Sequence, residues 1–216
     1  MKTKTKAFGL MMVAVLLVIA TIFATMAYLT AKDEVVNTFT VGDVKIKLDE
    51  AKANTDGTLV EGADRVQANS YKLLPGHTYA KDPMVTVIGD SEESYIRMTL
   101  TLSKSEELDA IFAPDGGANM PEIFNGYDSA NWTYKGNVED AAANTRTYEF
   151  WYKNTVSAAD SNVALDALFD SITVPGEITN AQLATIKDMQ ITVNAYAIQA
   201  DGFKNAEAAW AAFPAN

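Results

Sequence analysis

Few residues in this chain are of types that do covalent chemistry. Its 216 residues include no cysteine and one histidine, His77. Without cysteine there are no thiol nucleophiles, Cys-ligated zinc sites, iron-sulfur clusters or disulfide scaffolds. A zinc protease of the usual kind needs two histidines one helical turn apart with a glutamate between them, so that two ring nitrogens face one metal and the carboxylate polarises the bound water. One histidine cannot supply that. His77 lies in Pro75-Gly76-His77-Thr78, a turn sequence, and reads as a solvated turn residue rather than a metal ligand or general base. A Ser-His-Asp triad would have to run through it, and no nucleophile-elbow motif accompanies it. Gly116-Gly117, the one glycine pair, follows Pro114-Asp115 in a loop and forms neither a phosphate loop nor a dinucleotide fingerprint.

Acids are abundant: 28 Asp and Glu stand against 17 Lys and Arg, a net charge of -11. With so many, adjacent pairs such as Glu92-Glu93 and Glu106-Glu107 are expected by chance, and solvated surface is their default role rather than a glycosidase dyad. Asp49, Glu50, Asp56, Glu61 and Asp64 could gather around calcium, but without EF-hand spacing. The acidic excess also opposes the phosphate-neutralising contacts of nucleic-acid binding, so no nucleic-acid partner is expected. Trp132, Tyr134, Trp151 and Tyr152 could line a sugar-binding groove; at strand spacing they read as core. No catalytic residue, cofactor or metal ligand is therefore expected.

The elements that would position any site are mostly strands. Residues 35–48 alternate around Gly42, a pattern for a strand with a bulge or bend. A short run over 71–74 closes at Pro75-Gly76, and 84–88 follows Asp82-Pro83 as a β-branched strand. Over 95–102, Ile96, Met98, Leu100 and Leu102 oppose Tyr95, Arg97, Thr99 and Thr101, the pattern of a half-buried strand. Further strands are expected over 131–135, 145–153 and 189–199. Ser103 and Glu106 have capping-box spacing before a two-turn helix over 105–112. The spacing of Ala164, Leu165, Leu168, Phe169 and Ile172 predicts a second helix, stopped by Pro175-Gly176. Asp201 or Asn205 could cap a last one burying Ala209, Trp210 and Phe213. Residues 50–69 read as an exposed loop or loosely paired hairpin. Many strands with helices confined to loops make an all-β, antiparallel two-sheet sandwich.

The N-terminus differs in kind. Lys2, Lys4 and Lys6 precede an uncharged apolar run over residues 7–27 that ends in Ala24-Thr25-Met26-Ala27. Basic end, apolar middle and small-residue exit describe a signal peptide or N-terminal hydrophobic helix, with cleavage between Ala27 and Tyr28; the alternative is an uncleaved membrane anchor. The leader carries three lysines and no acid, so residues 28–216 hold 14 basic and 28 acidic residues, net -14. A secreted protein is expected, in the extracellular matrix or at the cell surface, touching membrane only through an uncleaved leader.

The stretches Tyr28-Leu29-Thr30 and Asn37-Thr38-Phe39-Thr40-Val41-Gly42-Asp43-Val44 behind such a leader, the turn Leu73-Leu74-Pro75-Gly76 leading to Val85-Thr86-Val87, and Ile191-Thr192-Val193-Asn194-Ala195-Tyr196 near the C-terminus together resemble the TasA/camelysin family of secreted bacterial proteins. Residues 110–175 match it only in general character. The resemblance implies a jelly-roll domain over 41–216, a signal peptide over 1–27 removed by a SipW-type signal peptidase, and a structural subunit of biofilm-matrix fibres. It further implies that residues 28–40 form a donor strand inserted into the next subunit of a head-to-tail homopolymer, with an accessory or anchor protein of the same family as a possible partner. By position the donor residues are Tyr28, Leu29, Ala31, Val35 and Phe39. Leu29, Ala31 and Val35 share one face of such a strand, interrupted by Asp33. Two other readings stay open: a camelysin-like cell-surface metallopeptidase, resting on the resemblance alone, and a carbohydrate-binding surface module, resting on the sandwich and its aromatics.

Overall fold

The structure, a computed structural model, describes residues 30–34, 36–37, 44–112 and 124–214. The expected leader and N-terminal hydrophobic helix, the cleavage pair Ala27 and Tyr28, and the donor residues Leu29, Val35 and Phe39 lie outside the described residues.

In chain order the strands are β1 (Thr30–Glu34), β2 (Val36–Asn37), β3 (Ile46–Asp49), β4 (Thr78–Ala80), β5 (Met84–Val87), β6 (Ser91–Ser103), β7 (Phe124–Asn125), β8 (Trp132–Asp140), β9 (Thr145–Tyr152), β10 (Val156–Ala158), β11 (Val163–Ala164), β12 (Ser171–Thr173) and β13 (Ile191–Gln199). The helices are α1 (Ser105–Phe112), α2 (Asn180–Thr185) and α3 (Ala206–Ala212). The protein is thus mostly β, as its alternation predicts. The largest sheet runs β2-β1-β13-β6-β9-β8, with β10 also on β6; two three-stranded sheets run β11-β5-β3 and β4-β12-β7. Every pairing is antiparallel.

One core joins the three sheets. Ile96, Met98, Leu100 and Leu102 of β6 meet Tyr148 and Phe150 of β9, and across them lie Val85 and Val87 of β5, Tyr79 of β4 and Ile172 of β12. Each such aliphatic side chain withdrawn from water contributes about 1.5–3 kcal/mol. The opposite face of β6 is half-exposed, as a two-sided strand requires.

Helix α1 forms where the spacing places it, but its cap differs. Asn144, in the β8–β9 turn, accepts the Glu106 amide at 3.0 Å, while Ser103 Oγ accepts from the Gln190 amide at 2.8 Å. Helix α3 is capped by Asn205, whose side chain accepts the Ala208 amide at 3.0 Å, and it buries Ala209 and Trp210 against Tyr196 and Ile198. The helix expected over 164–172 does not form. Leu165, Leu168 and Phe169 are buried, but the Leu165 and Leu168 amides donate to the carbonyls of Val85 (2.9 Å) and Pro83 (3.0 Å). Amides committed to the neighbouring strand and turn cannot close helical turns, so the chain follows the sheet edge instead. Helix α2 was not expected. It is announced by Thr179 and Gln182, which form a capping box three residues apart.

Residues 50–69 are a pinned loop with two isolated antiparallel bridges, Glu50 with Val66 and Ala53 with Leu59. At its tip Gly57 adopts φ +91°, and a Cβ there would stand 2.6 Å from Tyr79 Cα and 2.7 Å from the Thr78 carbonyl oxygen. Gly57→Ala should therefore cost about 1–3 kcal/mol through backbone strain, with overpacking against fully buried Tyr79 adding to it. The midpoint of urea unfolding should fall accordingly; an unchanged midpoint would show that the tip relaxes freely.

Candidate functional site

The residues most capable of chemistry do not converge. His77 is exposed, directly after the Pro75-Gly76 turn. Among the described residues no group of three His, Cys, Asp or Glu side chains is placed to hold a metal ion. Three of the acids considered for calcium, Asp49, Glu50 and Asp56, are engaged elsewhere. Arg65 binds Asp49 through Nε at 2.5 Å and Asp82 through Nη1 at 2.8 Å, and Lys81 Nζ binds Glu50 Oε2 at 2.5 Å. Burial pulls the Arg65 guanidinium down, but its hydrogen bonds to Asp82 and Asp49 outweigh that and hold it above its ordinary value, so it stays charged. Asp56 accepts from the Thr58 amide and hydroxyl, which hold its carboxyl below the usual range.

The aromatics are mostly structural. Trp132 is 1 % exposed, donates Nε1–H to the Asp166 carbonyl at 3.1 Å and packs edge-on to Tyr152. Trp151 is flanked by Lys135, whose ammonium lies 4.1 Å from its ring centroid, and by Trp210. This corrects any use of Trp132 as a sugar-stacking platform: its faces are occupied by the core.

What the fold does present is an incomplete sheet edge. Strand β1 lies along the outer edge of β13, with Thr30 opposite Ile198, Ala31 opposite Ala197, Lys32 opposite Tyr196 and Asp33 opposite Ala195. There the pairing stops. The chain turns back and β2 pairs with β1, placing Val36 opposite Glu34 and Asn37 opposite Asp33. The part of the segment 28–40 that is described thus forms two short strands rather than one, with Ala31 in the first. On that side of β13, residues Ile191, Thr192, Val193 and Asn194 have no strand partner among the described residues.

The strands β8 and β13 of the large sheet differ chemically. At the far edge, β8 carries Lys135, Glu139 and Asp140 and a bulge between Tyr134 and Gly136, the usual devices against edge-to-edge pairing. Strand β13 has no charged residue at all. Its other face is braced by α3: the Arg97 guanidinium lies 4.8 Å from the Tyr196 ring, 4.5 Å from Trp210 and 5.0 Å from Phe213.

Beside the uncovered residues runs a groove. A first section of about 220 Å³ lies between Ile191 and Val193 on one side and Leu48, Glu50 and Asn69 on the other, with Lys81. It shares Asn69, Lys81 and Ile191 with a cavity of about 790 Å³ lined by Tyr71, Leu73, Leu183, Ile186 and Met189. Both carboxylate oxygens of Glu50 are satisfied, Oε2 by Lys81 and Oε1 by Asn69 Nδ2 at 2.9 Å. Burial, and secondarily the Glu50 charge, push the Tyr71 phenol well above its ordinary value, so it remains a neutral donor to the Ala80 carbonyl at 2.6 Å. The arrangement offers backbone hydrogen bonds, an apolar strip and neutral or paired polar groups. It is suited to binding an extended peptide.

Sequence reasoning singled out the N-terminal segment and expected a strand over 189–199 without pairing the two, and it did not find Arg65, Lys81 or Asn69. Arg65 was detectable as the one arginine in an otherwise acid-rich loop. Comparison with protein-family models, with curated proteins and with solved structures found no match to this chain.

Proposed function

We propose that this protein is a secreted structural subunit of extracellular fibres, polymerising when the segment 28–39 of one copy leaves its own β13 edge and adds to that of the next. The observation that carries this reading is the β1–β13 pairing. A segment directly after the proposed cleavage point is laid, by backbone hydrogen bonds, along β13, a strand that carries no charge. A strand bound through its backbone can be replaced by the same strand from another copy with the same ladder. A head-to-tail exchange of this kind does not close, and repetition gives a filament. In this reading the sandwich is a jelly roll of the TasA-like type, a SipW-type peptidase releases Tyr28, and an accessory protein of the same family starts or anchors the fibre. The charge of -14 on residues 28–216 makes neighbours repel within a screening length of about 8 Å at physiological salt, a brake on assembly before the strands exchange.

The direct test is negative-stain microscopy of the secreted protein together with mass spectrometry of its N-terminus. Filaments built from chains that begin at Tyr28 are the expected result. A monodisperse monomer across salt and pH, or filaments of chains retaining the leader, would refute the reading in its stated form.

A further inference from the structure

Glu50, Asn69 and Lys81 form a cluster that the strand-exchange reading does not use. Glu50 directly follows β3, Asn69 ends the pinned loop and Lys81 directly follows β4, so three separate stretches of chain deliver the three side chains. Lys81 and Glu50 are buried, and taking such a pair out of water costs about as much as its attraction returns. Stability alone is therefore a weak reason for the pair to be there.

The Asn69 amide is fixed in one orientation. Its Nδ2 donates to Glu50 Oε1 at 2.9 Å and to the Ala51 carbonyl at 2.8 Å, and its Oδ1 accepts the Ala53 amide at 2.9 Å. A backbone N–H can only donate and a backbone carbonyl can only accept, so flipping the side-chain amide would lose both of those bonds. Lys81 Nζ lies on the other oxygen of the same carboxylate, Glu50 Oε2, at 2.5 Å. A primary amine and a primary amide are thus held on the two oxygens of one carboxylate, beside Tyr71, Leu48, Ile191 and Val193.

Each part of an amide exchange has a place here. Lys81 Nζ is the nucleophile and Asn69 Cγ the electrophile. The Ala53 N–H already points at Oδ1, where negative charge develops when Cγ is attacked. Glu50 touches both the attacking and the leaving nitrogen, as a group that carries protons between them must. Holding all three in one folded site makes the reaction intramolecular.

We propose that Asn69 and Lys81 are a modification site, at which an isopeptide bond forms between Lys81 Nζ and Asn69 Cγ with Glu50 as the proton carrier. Glu50 takes a proton from the Lys81 ammonium, and the freed amine swings on its four-carbon stem to attack Cγ as the carbonyl π pair moves onto Oδ1. Glu50 returns the proton to Nδ2, the carbonyl re-forms and the Cγ–Nδ2 bond breaks. Nζ sheds its second proton through Glu50, and this proton leaves with the ammonia as ammonium. One ammonium ion is released, the carboxylate is regenerated and no oxidant is needed. Asn69 and Lys81 line both sections of the groove, which gives the ammonia a way out. In a chain without cysteine, the bond supplies the covalent tie that disulfides give many secreted domains, closing the segment that carries the Pro75-Gly76 turn and β4. It concerns one folded chain and is independent of fibre formation.

Loss of stability in a variant does not separate a covalent bond from an ion pair, whereas mass does. The test is the intact mass of the purified protein, followed by tryptic mapping after denaturation. The expected mass is about 17 Da, one ammonia, below that of the unmodified chain. Trypsin should fail to cut after Lys81, and peptide 66–72 should appear joined to peptide 73–97. Glu50→Gln keeps hydrogen bonding but removes the base, and Lys81→Arg keeps the cation but removes the primary amine. Each variant, shown to be folded by circular dichroism, should have its full mass and no linked peptide. Wild-type protein of full mass, cut normally after Lys81, would overturn the proposal whatever the variants do. So would the same mass deficit mapping elsewhere, for instance to a succinimide at Asn125-Gly126. An undiminished yield of linked peptide from Glu50→Gln would overturn the role given to Glu50.

Discussion

A chain lacking residues 28–36 should remain folded, form no fibres and stop the growth of fibres made by the intact chain. The fold survives because β5, β6, β9 and β12 side chains build the core. The deletion uncovers the β13 edge from Ala195 to Ile198 and costs about 0.5–1.5 kcal/mol for each ladder hydrogen bond lost. The truncated subunit keeps its whole acceptor edge and has no strand to donate. Added to intact protein, it should occupy a growing end and leave nothing for the next subunit, shortening fibres in proportion to its mole fraction. Circular dichroism, size-exclusion chromatography and electron micrographs of mixtures measure the three effects. Filaments of normal length from the truncated chain alone would end the donor-strand account.

Replacing Glu50 with alanine should destabilise the domain by about 3–5 kcal/mol, a large part of the 5–15 kcal/mol typical of a folded domain. Lys81 and Glu50 are 7 % and 5 % exposed, and their charged atoms are 2.5 Å apart. Without the carboxylate, the Lys81 ammonium is left with little water and no anion, and Asn69 Nδ2 loses its bond to Oε1. A pair desolvated to this degree is costly to break and contributes little as a pair. The double variant Glu50→Leu/Lys81→Met should therefore recover most of the lost stability. Chemical denaturation of the two single variants and the double measures the coupling. A Glu50→Ala loss below about 0.5 kcal/mol would mean that solvent reaches the pair as it reaches a surface ion pair.

Where local pattern and tertiary contact agree, the elements were readable in advance. Strand β6 is announced by Ile96, Met98, Leu100 and Leu102, because period-two alternation is a direct image of a strand with one face in the core. Helices α1 and α3 were readable for the same kind of reason, as apolar residues spaced at three and four next to capping residues. The stretch from Leu165 to Ile172 has that spacing and is not helical. Its amides found partners in Val85 and Pro83, which are about eighty residues away in the chain and leave no local trace. Nor could the cap of α1 be assigned from Ser103, since Asn144 arrives from another hairpin.

The sequence by itself determined the lack of cysteine and the single histidine, the mostly β class and the N-terminal leader pattern. These are properties of residue type and of spacing over a few positions. Only the tertiary structure decided that β1 is set against β13, that the pairing ends at Asp33, and that a groove with a buried Glu50–Lys81 pair lies beside the remainder. The reason is distance along the chain. Each of these features joins residues dozens to well over a hundred positions apart, which leaves no trace in local residue patterns.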